Sequence, residues 1–174
     1  IKADSLTVVR SAGVGSKTVV VGSSDVELAS FSMGSGDASD TEITSIKVTG
    51  FIDDGGASNL FVAGADTVTF SEVVLSMDLY VGSVAPENKL NVSAKSADSS
   101  SGEAVFDNLV GDGWVIPAGE TKTLIVAGDF SNNSAYDLDQ LKVDFVDVSQ
   151  DIIAVNEDSN AIESTSADIP NGGT

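Results

Sequence analysis

Apolar residues alternate with polar residues along much of this 174-residue chain, and this period of two constrains the fold more than any other feature. The clearest run places Val73, Leu75, Met77, Leu79 and Val81 on one face. Successive side chains point to opposite faces of a β-strand, whereas the apolar positions of a helix recur every three or four residues. The pattern therefore predicts a chain built from β-strands.

Further runs repeat this alternation. A second run covers Leu124–Phe130 and a third covers Leu141–Phe145. The alternation changes phase at Phe145–Val146, and again between Val26–Leu28 and Phe31–Met33, which predicts β-bulges. Weaker strands are predicted at Leu6–Val9, Thr18–Val21, Ile43–Val48, Leu60–Val62, Thr67–Phe70, Leu90–Ala94 and Ile152–Val155.

Turn-forming residues separate these runs at short intervals and predict the fold class. Short strands joined by Gly, Asp and Ser turns are typical of an all-β fold, a single β-sandwich of jelly-roll or immunoglobulin-like type with about eight to ten strands. Little helix is expected beyond one turn near Glu103–Leu109. Residues 1–163 form the predicted domain, and the polar stretch Ser164–Thr174 is predicted to be an exposed tail. The main turns are Gly34–Asp37, Asp53–Gly56, Gly111–Gly113 and Pro117–Gly119.

The residue types that are missing exclude most enzyme chemistry. The chain has no histidine and no cysteine, so it has neither an imidazole base nor a thiolate nucleophile. Paired carboxylates remain, and they hydrolyse glycosides in some enzymes. Carbohydrate clefts usually also carry aromatic side chains, and this chain has one Trp and two Tyr. The protein is therefore predicted not to be an enzyme.

Charge narrows the range of partners. With 27 acidic and 8 basic residues, the formal net charge is −19. Such a polyanion is not expected to bind nucleic acid, which requires Lys and Arg. No apolar run approaches the length of a membrane span, so insertion is not expected. The pattern as a whole predicts a secreted protein of the cell surface whose partners are cations, above all Ca²⁺, and other copies of itself.

Three acidic loops carry candidate calcium ligands, because Ca²⁺ prefers carboxylate and carbonyl oxygens. None matches the spacing of an EF-hand or of a glycine-rich β-roll. The alternative for each loop is a solvated turn, since acidic surfaces also keep proteins soluble. The candidates are Asp37, Asp40 and Glu42 in the first loop, Asp53 and Asp54 in the second, and Asp158 with its neighbours Asn156, Glu157 and Asn160 in the third.

Two further features concern sugars. Asn91 and Asn132 both begin the triplet that accepts N-linked glycans, and Asn132 is the better candidate because it lies in a predicted loop. Asn91 would have to lie on the outer face of its strand. Trp114 follows a Gly-Asp-Gly turn and is either a platform on which a sugar stacks or a core residue beside the closing strand.

Three segments together show a resemblance to known proteins: Val20–Phe31, Glu42–Val48 and Trp114–Leu124. Their succession of a glycine turn, alternating apolar residues, an acidic turn and an Ile-Pro-Ala-Gly turn before a strand resembles immunoglobulin-like or jelly-roll modules of prokaryotic surface proteins. The same layout is similar to subunits of extracellular filaments and tubes, such as TasA-like fibres and archaeal cannulae. The resemblance spans most of residues 4–148.

The resemblance implies a structural role in assembly. In such filaments the N-terminal strand of one subunit completes a sheet of its neighbour, which is donor-strand complementation. Residues 1–9 are the candidate donor strand, with Leu6 and Val8 as its apolar pegs; alternatively, they form the first strand of their own sandwich. The expected function is thus a subunit of an extracellular filament, tube or surface layer, assembling head to tail with or without Ca²⁺. The alternative is an adhesin or carbohydrate-binding module of a larger surface protein, with a glycan as its ligand.

Overall fold

A computed structural model of the chain describes residues 4–11, 17–53, 55, 61–136 and 139–169. Two β-sheets account for almost all of the regular secondary structure in these residues, which confirms the all-β sandwich predicted from the alternation. The described part has twelve strands rather than the predicted eight to ten. The difference arises because three of the strands are only two residues long. The strands are β1 Leu6–Arg10, β2 Val26–Ser35, β3 Thr41–Asp53, β4 Val62–Ala63, β5 Val74–Val81, β6 Glu103–Phe106, β7 Trp114–Ile116, β8 Thr121–Phe130, β9 Gln140–Asp144, β10 Ile152–Asn156, β11 Ala161–Ile162 and β12 Ser164–Thr165.

Helix is confined to single turns in the described residues. The two short α-helices are α1, Phe70–Val73, and α2, Val148–Asp151. A capping box at Thr69 and Glu72 fixes the start of α1, because each side chain bonds the other residue's backbone N–H. Three further single turns are of the 3₁₀ type: Pro86–Asn88, Val110–Asp112 and Ser134–Tyr136.

The first sheet has the strand order β12-β1-β2-β8-β5, and the second is built around β3. β3 is thirteen residues long. Its first half pairs with β10 and its second half with β9, while β7, β6 and β4 follow one another along its other edge. All of these pairings are antiparallel. By contrast, β1 and β12 in the first sheet run parallel.

One apolar core fills the space between the two sheets. Phe31 of β2 meets Phe145, which follows β9, with ring centroids 4.5 Å apart. Leu6 and Val8 of β1 are fully buried in the same core. Burying a side chain of this size contributes about 1.5–3 kcal/mol, so these residues hold β1 firmly in the sheet.

The clearest alternating run, Val73–Val81, forms strand β5 from Val74 onwards as predicted, but its first residues do not alternate between buried and exposed as expected. Val73 belongs to α1, and a register shift between Val74 and Ser76 reverses the pattern there. Val74 is therefore buried, whereas Leu75 is 52% exposed. The phase change predicted before Phe31 is confirmed, since β2 shifts register against β8 between Glu27 and Ala29.

Several other local predictions are wrong. The helical turn expected at Glu103–Leu109 is instead the strand β6, because pairing with β3 overrides its local spacing. No bulge forms at Phe145–Val146, because β9 ends at Asp144 and the chain then turns into α2. The segments predicted as strands at Thr18–Val21, Thr67–Phe70 and Leu90–Ala94 lie in irregular backbone, isolated bridges and turns. Phe70, the last residue of the second segment, is the first residue of α1.

Residues 164–169, the described part of the C-terminal stretch, belong to the sandwich. Ser164 and Thr165 form β12, which pairs with β1. Ile169 is 4% exposed and packs against the core. The predicted tail, residues 164–174, thus begins with a strand and a buried side chain rather than as exposed polar chain.

Three glycines meet where β3 crosses the turns before α1 and β6. The N–H of Gly64 donates to the carbonyl of Gly50, whose own N–H donates to the carbonyl of Gly102. Gly102 has φ +72°, and a Cβ placed on it would lie 2.6 Å from the backbone nitrogen of Gly64. Real Cβ atoms do not approach backbone so closely, so only glycine fits at this position.

We predict that Gly102→Ala destabilises the protein by about 3 kcal/mol, from left-handed backbone strain plus overpacking. The matched control is Gly82→Ala, because Gly82 has φ +76° and a Cβ added to it would have no atom within 4 Å. The control is expected to lose only about 1–2 kcal/mol, the strain part. Urea denaturation of both variants measures the difference, and equal losses would contradict the close approach.

Candidate subunit interface at the first strand

β1 completes a sheet of its own chain. All five of its residues pair antiparallel with β2, and Leu6 and Thr7 also pair with β12 on the other side. Its alternation places Leu6 and Val8 inward, with 0% of each exposed, as the predicted pegs require. In the single chain, therefore, residues 6–10 form the first strand of their own sandwich.

A carboxylate latch holds the start of β1. Asp4 accepts hydrogen bonds from the Ser39 hydroxyl on one oxygen and from the Asn156 side-chain amide on the other, each at 2.7 Å. Both bonds favour the ionised carboxylate, so they lower the pKa of Asp4 below its ordinary value. The latch joins β1 to the loop before β3 and to the last residue of β10. We call this end of the sandwich the leading end.

An arginine clamp holds the other end of β1. The Arg10 guanidinium donates to both oxygens of Asp144 in β9, with Nη2 at 2.6 Å and Nε at 3.0 Å from Oδ2. A fork of this kind is a strong, directional charge-assisted contact. The backbone N–H of Arg10 donates to the Asp168 carboxylate at 3.1 Å, and its Nη1 donates to the Asp168 carbonyl. Arg10 thereby joins the first strand, the second sheet and the C-terminal segment.

The connection from β1 to β2 runs through residues 11–25, of which residues 11 and 17–25 are described. Val20 in it is 71% exposed. Its last residue, Asp25, accepts the Tyr80 hydroxyl hydrogen bond at 2.8 Å, while its own N–H donates to Asp129 at 2.9 Å. Burial of the phenol, together with the Asp25 charge, raises the pKa of Tyr80 above its ordinary value. The connection is thus fastened at its end, next to β2.

The first group of candidate calcium ligands lies at the leading end, next to the Pro117–Gly119 turn. Asp40 already accepts a hydrogen bond from the Ala118 N–H at 2.8 Å. Asp37 lies close by, with one oxygen 3.0 Å from where a Cβ on Gly119 would be. Glu42 lies on β3 itself, against Gly113.

Of the remaining calcium candidates in the described residues, Asp158 lies at the same end of the sandwich as the first group, and Asp53 lies at the opposite end. β3 starts beside Asp40 and finishes at Asp53, so it places these two carboxylates at opposite ends of the sandwich. We call the Asp53 end the trailing end; there, Asp53 accepts the Gly55 N–H at 3.0 Å. Asp54 lies outside the described residues. Asp158 is exposed in the turn after β10, at the leading end.

No group of three or more acidic side chains within the described residues is close enough together to hold a metal ion. The candidates therefore remain predictions of single carboxylates, divided between the two ends. Six to eight oxygens are needed around Ca²⁺, so a site made from these residues requires further oxygens from backbone carbonyls, from water or from a second molecule.

The two glycosylation triplets differ in accessibility. Asn132 is exposed in the loop after β8, as expected. Asn91 is 2% exposed, and its amide donates to Asp78 while its oxygen accepts the Leu79 N–H at 2.7 Å. The Asn91 side chain thus takes the place of a backbone partner at the edge of β5. Asn132 therefore remains the candidate acceptor of an N-linked glycan.

Trp114, the candidate platform for a sugar, and Tyr80 are both buried. Trp114 is 7% exposed in β7 and belongs to the main core, which confirms the core alternative. Tyr80 is 5% exposed on the outer face of the first sheet, where Ile125, Ala127 and Val84 pack around it. Neither ring presents the open face on which a sugar stacks.

The polar clamps of β1 were missed by sequence reasoning. Asp4, Arg10, Asp144 and Asp168 follow no motif, and Arg10 lies 158 residues from Asp168 in the chain. One signal was available. Arg10 is one of only eight basic residues among 27 acidic ones, and it directly follows an apolar strand. A cation in that position would be expected to pair with carboxylates brought in by the fold.

Comparison with known proteins adds no relationship: no protein-family model, no curated protein and no solved structure matches this chain. Within the described residues, no helix has both the length and the apolar character needed to cross a membrane.

We predict that the Tyr80 phenol stays protonated well above pH 10, the ordinary pKa of tyrosine being about 10. In a Tyr136→Phe variant, Tyr80 is the only phenol, and its near-ultraviolet absorbance reports ionisation directly. Because the folded state holds this proton more tightly than the unfolded state, the associated stability is complete below pH 10 and is lost as the pH rises above it.

Asp25→Asn in the same background keeps the shape but removes the charge beside the phenol. The Tyr80 pKa should then fall towards its ordinary value. Ionisation of the folded parent at the pH of free tyrosine would show that Asp25 and Tyr80 do not fasten the connection.

Proposed function

We propose that this protein is a structural subunit of an extracellular filament, tube or surface layer, and that copies join head to tail by exchanging β1. The observation that supports this most directly is the design of β1. It carries two fully buried pegs, a latch at its start and a clamp at its end, and a long connection separates it from β2. A segment of this kind is able to leave its own groove and occupy the same groove in a neighbour.

The energetics of such an exchange are nearly balanced. The donated strand makes the same contacts in the neighbour that it makes at home: the same core burial, the same pairing with β2 and β12, and the same Arg10 clamp. Exchange of an identical element is therefore a low-cost route to assembly. The connection, residues 11–25, supplies the length of chain that an exchange needs, and subunit concentration decides between the closed monomer and the open polymer.

The direction of the chain suits a linear assembly. β1 starts at the leading end and runs away from it, and β12 runs parallel to β1. The first described residues thus lie at the leading end of the sandwich, and the last described strand runs towards the opposite end. Head-to-tail contacts of this type do not close on themselves and generate an open polymer.

Calcium fits this proposal as a bridging ion between subunits. The leading end carries Asp37, Asp40 and Asp158, and the trailing end carries Asp53. In an end-to-end array the leading end of one copy faces the trailing end of the next, so carboxylates that are separate in one chain come together. With a net charge of −19 per chain, the approach of two copies also needs cations to offset repulsion.

One observation favours a second candidate, a module of a larger cell-surface protein. β1 completes its own sheet, and the chain passes from one end of the sandwich to the other, as suits a domain in a string of domains. Because Trp114 and Tyr80 are buried, such a module would act as a spacer or as an adhesin domain that contacts protein rather than sugar.

A pair of introduced cysteines distinguishes the two candidates. Val9 in β1 and Ser32 in β2 lie directly opposite each other on the outer face, at a spacing that a disulfide spans. Since the chain has no cysteine of its own, Val9→Cys/Ser32→Cys creates the only pair. If β1 is exchanged, oxidation of the assembled protein yields a ladder of covalent multimers on a non-reducing gel.

The matched control pair is Ser45→Cys/Ile153→Cys, which joins β3 to β10. Those strands belong to one chain with or without exchange, so the control should remain a covalent monomer. A Val9–Ser32 variant that oxidises only within single chains, while electron microscopy shows filaments, would overturn strand exchange. Dispersed monomers throughout would favour the module.

We predict that chelation of Ca²⁺ shortens or abolishes the polymers seen by negative-stain electron microscopy. Sodium chloride at matched ionic strength serves as the control, because general screening of acidic surfaces also favours association. Asp40→Asn and Asp53→Asn should each weaken the calcium response, whereas Asp112→Asn, an exposed carboxylate outside the candidate loops, should not. Polymers of unchanged length in chelator would exclude calcium from the junction.

A further inference from the structure

The first and last described strands of this chain are direct neighbours. Leu6 pairs with Ser164 and Thr7 pairs with Thr165, both in parallel register. Continued by the same number of residues on each strand, that register brings Arg10 level with Asp168, and these two residues are in contact. The Arg10 N–H donates to the Asp168 carboxylate at 3.1 Å, and the Arg10 guanidinium donates to the Asp168 carbonyl.

This arrangement decides how tension along the chain would act. A pull on the two ends draws β1 towards its N-terminus and residues 164–169 towards their C-terminus. Because the two segments run parallel, they are forced to slide past each other along their length. Hydrogen bonds between parallel strands are slanted but still run mainly across that direction. All of them are therefore loaded together, whereas a pull perpendicular to the strands would break them one at a time.

We infer that β1, β12 and the Arg10–Asp168 contact form a mechanical lock through which the folded domain transmits end-to-end tension. The load enters at Asp4 and leaves beyond Ile169, and the lock joins these points directly. The residues between, from the connection after β1 to the end of β11, are therefore not stretched while the lock holds. Leu6, Val8 and Ile169 anchor both of its sides in the core.

Arg10 is the central residue of the lock. Its fork on Asp144 fastens β1 to the second sheet, so sliding β1 also breaks a contact between the two sheets. Another surface cation provides a contrast: Lys122 pairs with Glu120, only two residues away, at 2.7 Å. That pair links no separate segments and lies outside the path of the load.

The lock lies within one folded chain and does not depend on exchange of β1. If exchange occurs, the donated strand sits in the same groove, and the same lock carries tension between copies. A mechanical lock is thus compatible with both candidate functions, and its test is separate from the cysteine experiment.

Single-molecule force spectroscopy on the full chain, held by handles at both termini, tests the lock. At constant force, Arg10→Ala and Asp168→Asn should each unfold about tenfold faster than the parent, corresponding to about 1.4 kcal/mol of barrier. Forced unfolding is governed by the unfolding rate, so the rate is the proper readout. Lys122→Ala is the matched control and should unfold at the parental rate.

A second pulling axis separates the lock from general stability. Handles attached through cysteines introduced at Ser99 and Ala118, both exposed, load the domain without passing through β1 and β12. Along this axis Arg10→Ala should change the unfolding rate little. An equal acceleration along both axes would reduce Arg10 to a general stabilising residue, and no acceleration along the terminal axis would also overturn the lock. Either result leaves the polymer proposal to be decided by the gel.

Discussion

The pairing of β3 is the constraint on which the rest of the structure depends. Five other strands hydrogen-bond directly to it, β10 and β9 on one edge and β7, β6 and β4 on the other. Its inward side chains Ile43, Ile46, Val48 and Ile52 are all fully buried, so one strand supplies the floor of the core. Its length also sets the distance between the leading and trailing ends, and hence the separation of the acidic loops that flank it.

The first strand depends on this frame but is joined to it differently. β1 contacts the core through two pegs. The latch at its start reaches the loop before β3 and the end of β10, and the clamp at its end reaches strand β9 and the C-terminal segment. These contacts make one short strand the meeting point of both sheets and both ends of the described chain. Assembly by exchange and resistance to tension are two consequences of that single arrangement, because in each the groove between β2 and β12 must hold β1.

The local sequence pattern predicted most of the long strands correctly, but it predicted less well which side chains are exposed. Alternation identified β1, β3, β8 and β10, and it located the phase change in β2, because a strand with one buried face must repeat with period two. It failed at Leu75 and at residues 103–109, where a register shift and pairing with β3 set the outcome. It also missed the burial of Tyr80, since a second small cluster covers the outer face of β5 and β8.

The sequence by itself determined the β class, the inward position of Leu6 and Val8, the strong negative charge and the absence of imidazole and thiol chemistry, because each follows from local spacing or composition. Only the tertiary structure decided what β1 is fastened to. Asp4 meets Asn156, and Arg10 meets Asp144 and Asp168, across more than 130 residues of chain. Nothing local specifies such pairs, since any of the 27 acidic side chains is an equally good partner for an arginine until the fold brings two of them to it.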